Sequence, residues 1–183
     1  FADPLEPRTV VIVPGLTMDQ DVLAKVLGGL HYEERQLAML MLLRLPNTRV
    51  VFVSSTPIER TIVDYYLGLL PGIARDEARQ RLVLLSASVA SAATLTQKIL
   101  ERPRLLERIR DAMGDPANTH LSCFNVTALE RTLAVRLGIP LYGCDPSLQY
   151  LGGKSGSRAM FREAGVQLPD GREDLRSVEQ VVE

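Results

Sequence analysis

The chain has 183 residues, 46% of them apolar and 23% charged, with a net charge of -1. That length fits one domain, or one domain and the start of another, and the composition is that of an ordinary soluble globular protein. The near-neutral balance argues against a nucleic-acid partner, whose binders carry a basic patch. The richest apolar run, Leu37 to Leu43, falls far short of the ~18 residues that a membrane span needs. Clusters such as Arg102-Pro-Arg104 and Arg108-Ile-Arg110 are balanced by Glu101, Glu107 and Asp111 and read as a solvated helix face. Cys123 and Cys144 have no pairing or metal-site spacing and read as small buried groups in a reducing, cytoplasmic compartment. A chain opening on Phe1 rather than Met reads as an excised piece of a longer protein.

In chain order, Thr9–Val13 is a β-branched apolar run closed by Pro14-Gly15, and it reads as a buried strand. Tyr32–Leu43 carries apolar residues every three or four positions and reads as a helix. Arg49–Val53 is the second strand, and Ile58–Leu70 a helix stopped by Pro71-Gly72. Arg81–Leu85 is the third strand. Leu95–Met113 is helical and splits in two, because Pro103 cannot sit inside a straight helix. His120–Phe124 is a weaker strand, with His120 expected on a sheet edge. Val126–Leu137 is a helix capped by Gly138, and Ile139–Tyr142 a short fifth strand. Residues 146–150 read as a helical turn, Ser157–Ala164 as a short helix, and Ser177 onward as the start of another.

Five short strands alternating with helices predict an α/β fold, a doubly wound parallel sheet of Rossmann-like type. Ligands bind such sheets beyond the carboxyl ends of the strands. The loops there supply Gly15 and Thr17, Ser55, Asn125, and Asp145 as candidate substrate contacts. Each has a plainer account: Pro14-Gly15 as a turn, Ser54 to Thr56 and Asn125 as helix caps, and Asp145-Pro146 as a turn start. His31 and Arg35 join the candidates from the polar start of the first helix, where Glu33 and Glu34 suit the positive end of the helix dipole. No catalytic triad, paired-carboxylate site or metal-ligating cluster can be drawn from the spacing.

The stretch Leu151-Gly-Gly-Lys-Ser-Gly-Ser-Arg158 suggests a phosphate loop, but a Walker motif would need glycine at position 148, where Leu148 stands. The turn after the first strand has one glycine, so a dinucleotide fingerprint is absent as well. With its surroundings, Tyr142-Gly143 through Lys154, Arg158, Ala164-Gly165-Val166 and Pro169, the stretch resembles the opening of an ATP-grasp ligase. Glycine stands at 153 where that family commonly has Asp, and Arg158 where it has a second Lys. His31–Arg35, Ile62–Tyr66, Pro103–Ile109, Phe124–Thr127 and Lys154–Arg158 extend the resemblance over most of the chain, to the peptide-ligase-like branch related to the pheganomycin peptide ligase.

The resemblance implies a Rossmann-like pre-ATP-grasp domain over residues 1–150 and the truncated start of an ATP-grasp domain over 151–183. It implies ATP and Mg2+ as cofactors of the full-length enzyme, and Lys154 and Arg158 as nucleotide contacts. Small carboxylate and amine substrates would be joined through an acyl phosphate. The magnesium ligands would lie in a missing C-terminal ATP-grasp region, so the chain alone is expected to be inactive and to hold nucleotide weakly. Residues alone leave Lys154 as an ordinary surface lysine. A stand-alone Rossmann-like binding or assembly domain is the alternative, since this fold carries many functions. The apolar helix around Leu37–Leu45 is compatible with a homodimer as well as with packing on the sheet.

Overall fold

The computed structural model describes residues 3, 5–17, 25 and 28–182. The first and last residues, Phe1 and Glu183, lie outside that set. The strands are β1 (Arg8–Val13), β2 (Thr48–Ser54), β3 (Leu82–Ser86), β4 (Thr119–Cys123) and β5 (Leu141–Tyr142). Among the described residues they form one five-stranded sheet, in the order β3-β2-β1-β4-β5. Every neighbouring pair is parallel. This is the Rossmann-like arrangement expected from the sequence. His120 is the exception to the reading: its strand lies between β1 and β5, not at an edge. The His120 ring is half-buried and meets Tyr142 edge-on, with centroids 6.3 Å apart.

Burial on both faces explains why the central strands are apolar at consecutive positions. Val10, Ile12, Val50 and Phe52 project into one core with Leu37, Leu40, Leu43, Val63 and Leu67. Val11, Val13, Val51 and Val53 project into the other, with Leu95, Ile99, Leu106, Ile109 and Leu133. The helices α1 (Arg60–Gly68) and α2 (Arg75–Gln80) follow β2. Helices α3 (Leu95–Leu100) and α4 (Pro103–Met113) follow β3, and α5 (Ala128–Leu137) follows β4. The break before Pro103 falls where its ring requires it, with Pro in the first turn of α4. Helix α5 ends at Gly138, φ 72°. Helix α2 leaves no apolar period in the sequence, because only Ala78 of its six residues is buried.

The segment between β1 and β2 departs from the expected α-helix. Gly29–Arg44 winds as a 3₁₀ helix of 16 residues, a geometry usually confined to three or four. Among its described side chains the buried ones are Leu37, Leu40 and Leu43, all at 0% exposure, whereas Met41 is 58% exposed. A three-residue period is what a 3₁₀ helix presents to one face. Arg81 ties the end of this helix to the start of β2, donating to Leu43 O at 2.7 Å, Leu45 O at 2.7 Å and Thr48 O at 2.9 Å.

Compactness divides the chain into Phe1–Gly143 and Cys144–Glu183. The second unit holds a turn at Pro146–Leu148, then α6 (Gln149–Gly152), α7 (Lys154–Glu163) and α8 (Val178–Val182). Among its described residues only Gly156 is buried. A Cβ there would collide with the Tyr150 carbonyl oxygen and carbon, so glycine is what lets α7 start so close to α6. Among the described residues, no helix is long and apolar enough to cross a membrane. Cys123 is half-buried and Cys144 exposed, both free thiols; the exposure of Cys144 corrects the expectation of two buried groups.

The three-residue period yields a direct test. Leu40→Ala should cost about 2–5 kcal/mol. Met41→Ala should stay within about 0.5 kcal/mol of the parent chain. Urea unfolding reads both. A large loss at Met41 would mean that the segment is an ordinary α-helix.

Candidate functional site at the carboxyl edge of the sheet

In this strand order the chain crosses from β1 to β2 on one side and reaches β4 on the other. The loops after β1 and β4 therefore part at a topological switch point, where ligands of such sheets bind. Thr17 and Asn125 meet there: the Thr17 N–H donates to Asn125 Oδ1 at 3.1 Å. The same threonine's hydroxyl donates to Glu130 Oε1 at 2.6 Å, and Thr96 Oγ1 donates to that oxygen at 2.6 Å. The other carboxylate oxygen accepts the Thr127 N–H at 2.8 Å and Thr127 Oγ1 at 2.5 Å.

Glu130 is thus a carboxylate 1% exposed, with two donors on each oxygen. Burial pushes its carboxyl up, but hydrogen bonds from Thr127, Thr17 and Thr96 outweigh burial and hold it below the ordinary value. It also closes a capping box with Thr127 at the start of α5. Thr127, not Asn125, is therefore the helix cap. Asn125 Nδ2 is closed from solvent and has no hydrogen-bond partner among the described residues. Gly15 belongs to the same edge: a Cβ on it would lie 3.0 Å from Leu95 Cβ, so its lack of a side chain admits the start of α3.

Ser55, directly after β2, forms a second cluster. Its N–H and hydroxyl donate to Glu33 Oε2 and Oε1, at 2.5 and 2.6 Å. Its hydroxyl oxygen also accepts from Lys98 Nζ at 2.9 Å. Ser55 is 1% and Lys98 2% exposed. Burial lowers the Lys98 ammonium's pKa despite the nearby Glu33 charge. Burial likewise raises the Glu33 carboxyl, against the hydrogen bonds from Ser55 and the charge of Lys98. Glu33 therefore does more than favour a helix dipole; it reaches across to the sheet edge.

The remaining candidates have contacts of their own. His31 Nδ1 pairs with Glu34 Oε1 at 2.9 Å, and that bond raises its pKa. Arg35 lies over the Tyr32 ring, 4.4 Å from its centroid. Asp145 accepts from the Ser147 N–H at 2.8 Å and starts the short turn at Pro146, in keeping with its reading as a turn residue.

In the second unit, Lys154 is exposed at the start of α7, and its ammonium has no bond among the described residues. It lines a cleft of about 500 Å³ with Gln149, Tyr150, Gly153, Ser155, Gly156 and Asp174. Gly153 caps α7 without a side-chain bond, so neither Ser155 nor Ser157 is the N-cap. Ser155 Oγ accepts the Asp174 N–H at 3.0 Å, and Ser157 Oγ donates to Leu151 O at 2.9 Å. Arg158 is engaged within the unit, donating to Glu173 Oε1 at 2.8 Å and Pro169 O at 3.0 Å. Among the described residues, no group of three metal-ligating side chains occurs.

Sequence patterns alone do not single out Thr96, Glu130, Glu33 or Lys98 as site residues. Thr127-x-x-Glu130 is a legible capping-box signature. Lys98, in the polar run Thr96-Gln97-Lys98, gives no sign of its burial.

No family model matches the chain, and no solved structure does. Over 158 residues, 82% of its length, the chain is 34% identical to the L-propargylglycine--L-glutamate ligase of Streptantibioticus cattleyicolor. Over 96% of its length it is 27% identical to the IQ motif-containing protein H of Danio rerio. The chain spans 32% of the first relative and 18% of the second.

A carboxyl held below its unfolded value stabilises the fold above that value, and the contribution is lost as pH falls through the folded value. Denaturation of the parent chain should therefore ease as pH drops below the ordinary value of 4.5. Glu130→Gln should cost about 2 kcal/mol at neutral pH and should flatten that acid dependence. Equal slopes in parent and variant would mean that Glu130 is not a charged anchor of the fold.

Proposed function

We propose that the chain is the N-terminal domain of an ATP-grasp carboxylate–amine ligase of the peptide-forming kind. The observation that carries this reading is the 34% identity, over 82% of the chain, to a ligase whose name joins two amino acids. The Rossmann-like sheet with polar clusters beyond its strand ends supports it. In this reading ATP phosphorylates a carboxylate, and an amine displaces phosphate from the acyl phosphate to leave an amide. The amine loses its proton in that step, and phosphate is the leaving group. The acid and amine are amino acids or short peptides.

The second unit is suited to the edge of a phosphate site. Lys154 offers an exposed cation on a cleft, and among the described residues neither its ammonium nor the first N–H groups of the helix start beside it has a side-chain partner. A lysine there offsets charge on phosphoryl oxygens as it develops. Nucleotide binding in full, and any magnesium site, are assigned to polypeptide beyond this chain. The chain alone is then inactive and binds Mg2+-ATP weakly.

The similarity to IQ motif-containing protein H, which spans 96% of the chain, supports a second reading. In it this fold serves as a binding or assembly domain inside a larger protein.

The test uses a longer polypeptide that carries this chain and the sequence following it. With Mg2+-ATP, a set of L-amino acids including L-glutamate should release ADP only when acid and amine are both present. Lys154→Ala should slow that release by about 100-fold. ADP release independent of both substrates, or none at all, would favour the binding domain.

A further inference from the structure

The geometry points to a carboxylate-binding cradle made by the Ser55 N–H, the Ser55 hydroxyl and the Lys98 ammonium, which Glu33 occupies in place of an incoming small carboxylic acid. The inference deepens the ligase reading and rests on it for the identity of that acid as a substrate.

The cradle has the parts that a carboxylate site needs. A backbone N–H and a hydroxyl reach the two oxygens of one carboxylate, at 2.5 and 2.6 Å. A buried ammonium stands behind, bonded to the same hydroxyl at 2.9 Å. Charge-assisted bonds of this kind are the strong ones. The donors sit at the carboxyl end of β2, where this fold presents ligands. Ser55 and Lys98 come from separate elements and are 1% and 2% exposed, as in a site with its guest in place.

The guest is held by less than the host. Glu33 lies in the first half of the long 3₁₀ helix, and among the described side chains of that helix the buried ones begin only at Leu37. His31, Tyr32, Glu34, Arg35 and Gln36 are exposed or half-buried. Long 3₁₀ geometry has poorer hydrogen bonds than an α-helix. Residues 31–36 can therefore part from the sheet edge at small cost in buried apolar area, with the sheet and α3 left intact. An acid with one carboxylate then replaces the Glu33 carboxylate bond for bond. The swap transfers no proton and forms no covalent bond. It would also free His31 and Arg35, which ride on the same segment, to meet the rest of the acid.

Sodium acetate is the probe, with the Ser55 backbone amide as reporter in NMR spectra of the 183-residue chain. In Glu33→Ala, acetate should move the Ser55 amide saturably toward its position in the parent chain. The parent chain, with its own carboxylate in place, should respond at least about 10-fold more weakly, a difference of about 1.4 kcal/mol. Adding Lys98→Met to Glu33→Ala should abolish the response, with the β1 and β2 amides unchanged. Should Glu33→Ala not fold, Glu33→Gln keeps the segment's shape, and acetate should bind it with intermediate affinity. No saturable response in the variant that folds, or one that persists without Lys98, overturns the cradle. The titration contains no nucleotide, so the two readings fail separately. Acetate binding without ADP release by the longer polypeptide would sink the ligase alone, and ADP release without acetate binding the cradle alone.

Discussion

The carboxyl edge of the sheet is organised around one buried negative charge. Glu130 collects donors from Thr17 after β1, Thr96 in α3 and Thr127 at the head of α5. A buried carboxylate without such donors would cost several kcal/mol or take up a proton. With them it becomes a fixed point to which three segments far apart in sequence are tied. The loop at the switch point is consequently set by side-chain chemistry as well as by the sheet.

Helix α3 links that fixed point to the second cluster. It has only six residues. Leu95 fits against Gly15, Thr96 reaches Glu130, and Lys98 reaches Ser55. Two carboxylates thus meet one short helix in different ways. Glu130 is held by donors from three elements, and Glu33 by a single residue with an ammonium behind it. The first arrangement suits a structural anchor and the second suits exchange. The contrast lends the proposed substrate edge both a rigid side and a movable one.

Much of the scaffold is readable in the sequence because its causes are local. Val10 to Val13 and Val50 to Val53 are apolar without a break and mostly β-branched, which only a strand covered on both faces favours. Pro103 has to divide the helices around it. The segment from Gly29 reads as α-helix because Leu40 and Met41 are both apolar, and a period of three or of four can be drawn from Leu37. Only burial separates them. The site is less legible, since Lys98 and Glu33 look like surface residues until the fold turns them toward Ser55. Asn125 and Thr17 stand out for lying at strand ends, and the structure joins them by a hydrogen bond. Gly156, the glycine that follows Lys154-Ser155, is explained by close approach to Tyr150.

The most direct test of the buried anchor is a carbon-detected NMR titration of the Glu33 and Glu130 side-chain carboxyls in one sample. The two should separate to opposite sides of the ordinary value of 4.5, with Glu130 below it and Glu33 above. Glu130 titrating at or above that value would show that its hydrogen bonds do not outweigh its burial. The anchor on which the carboxyl edge depends would then be absent.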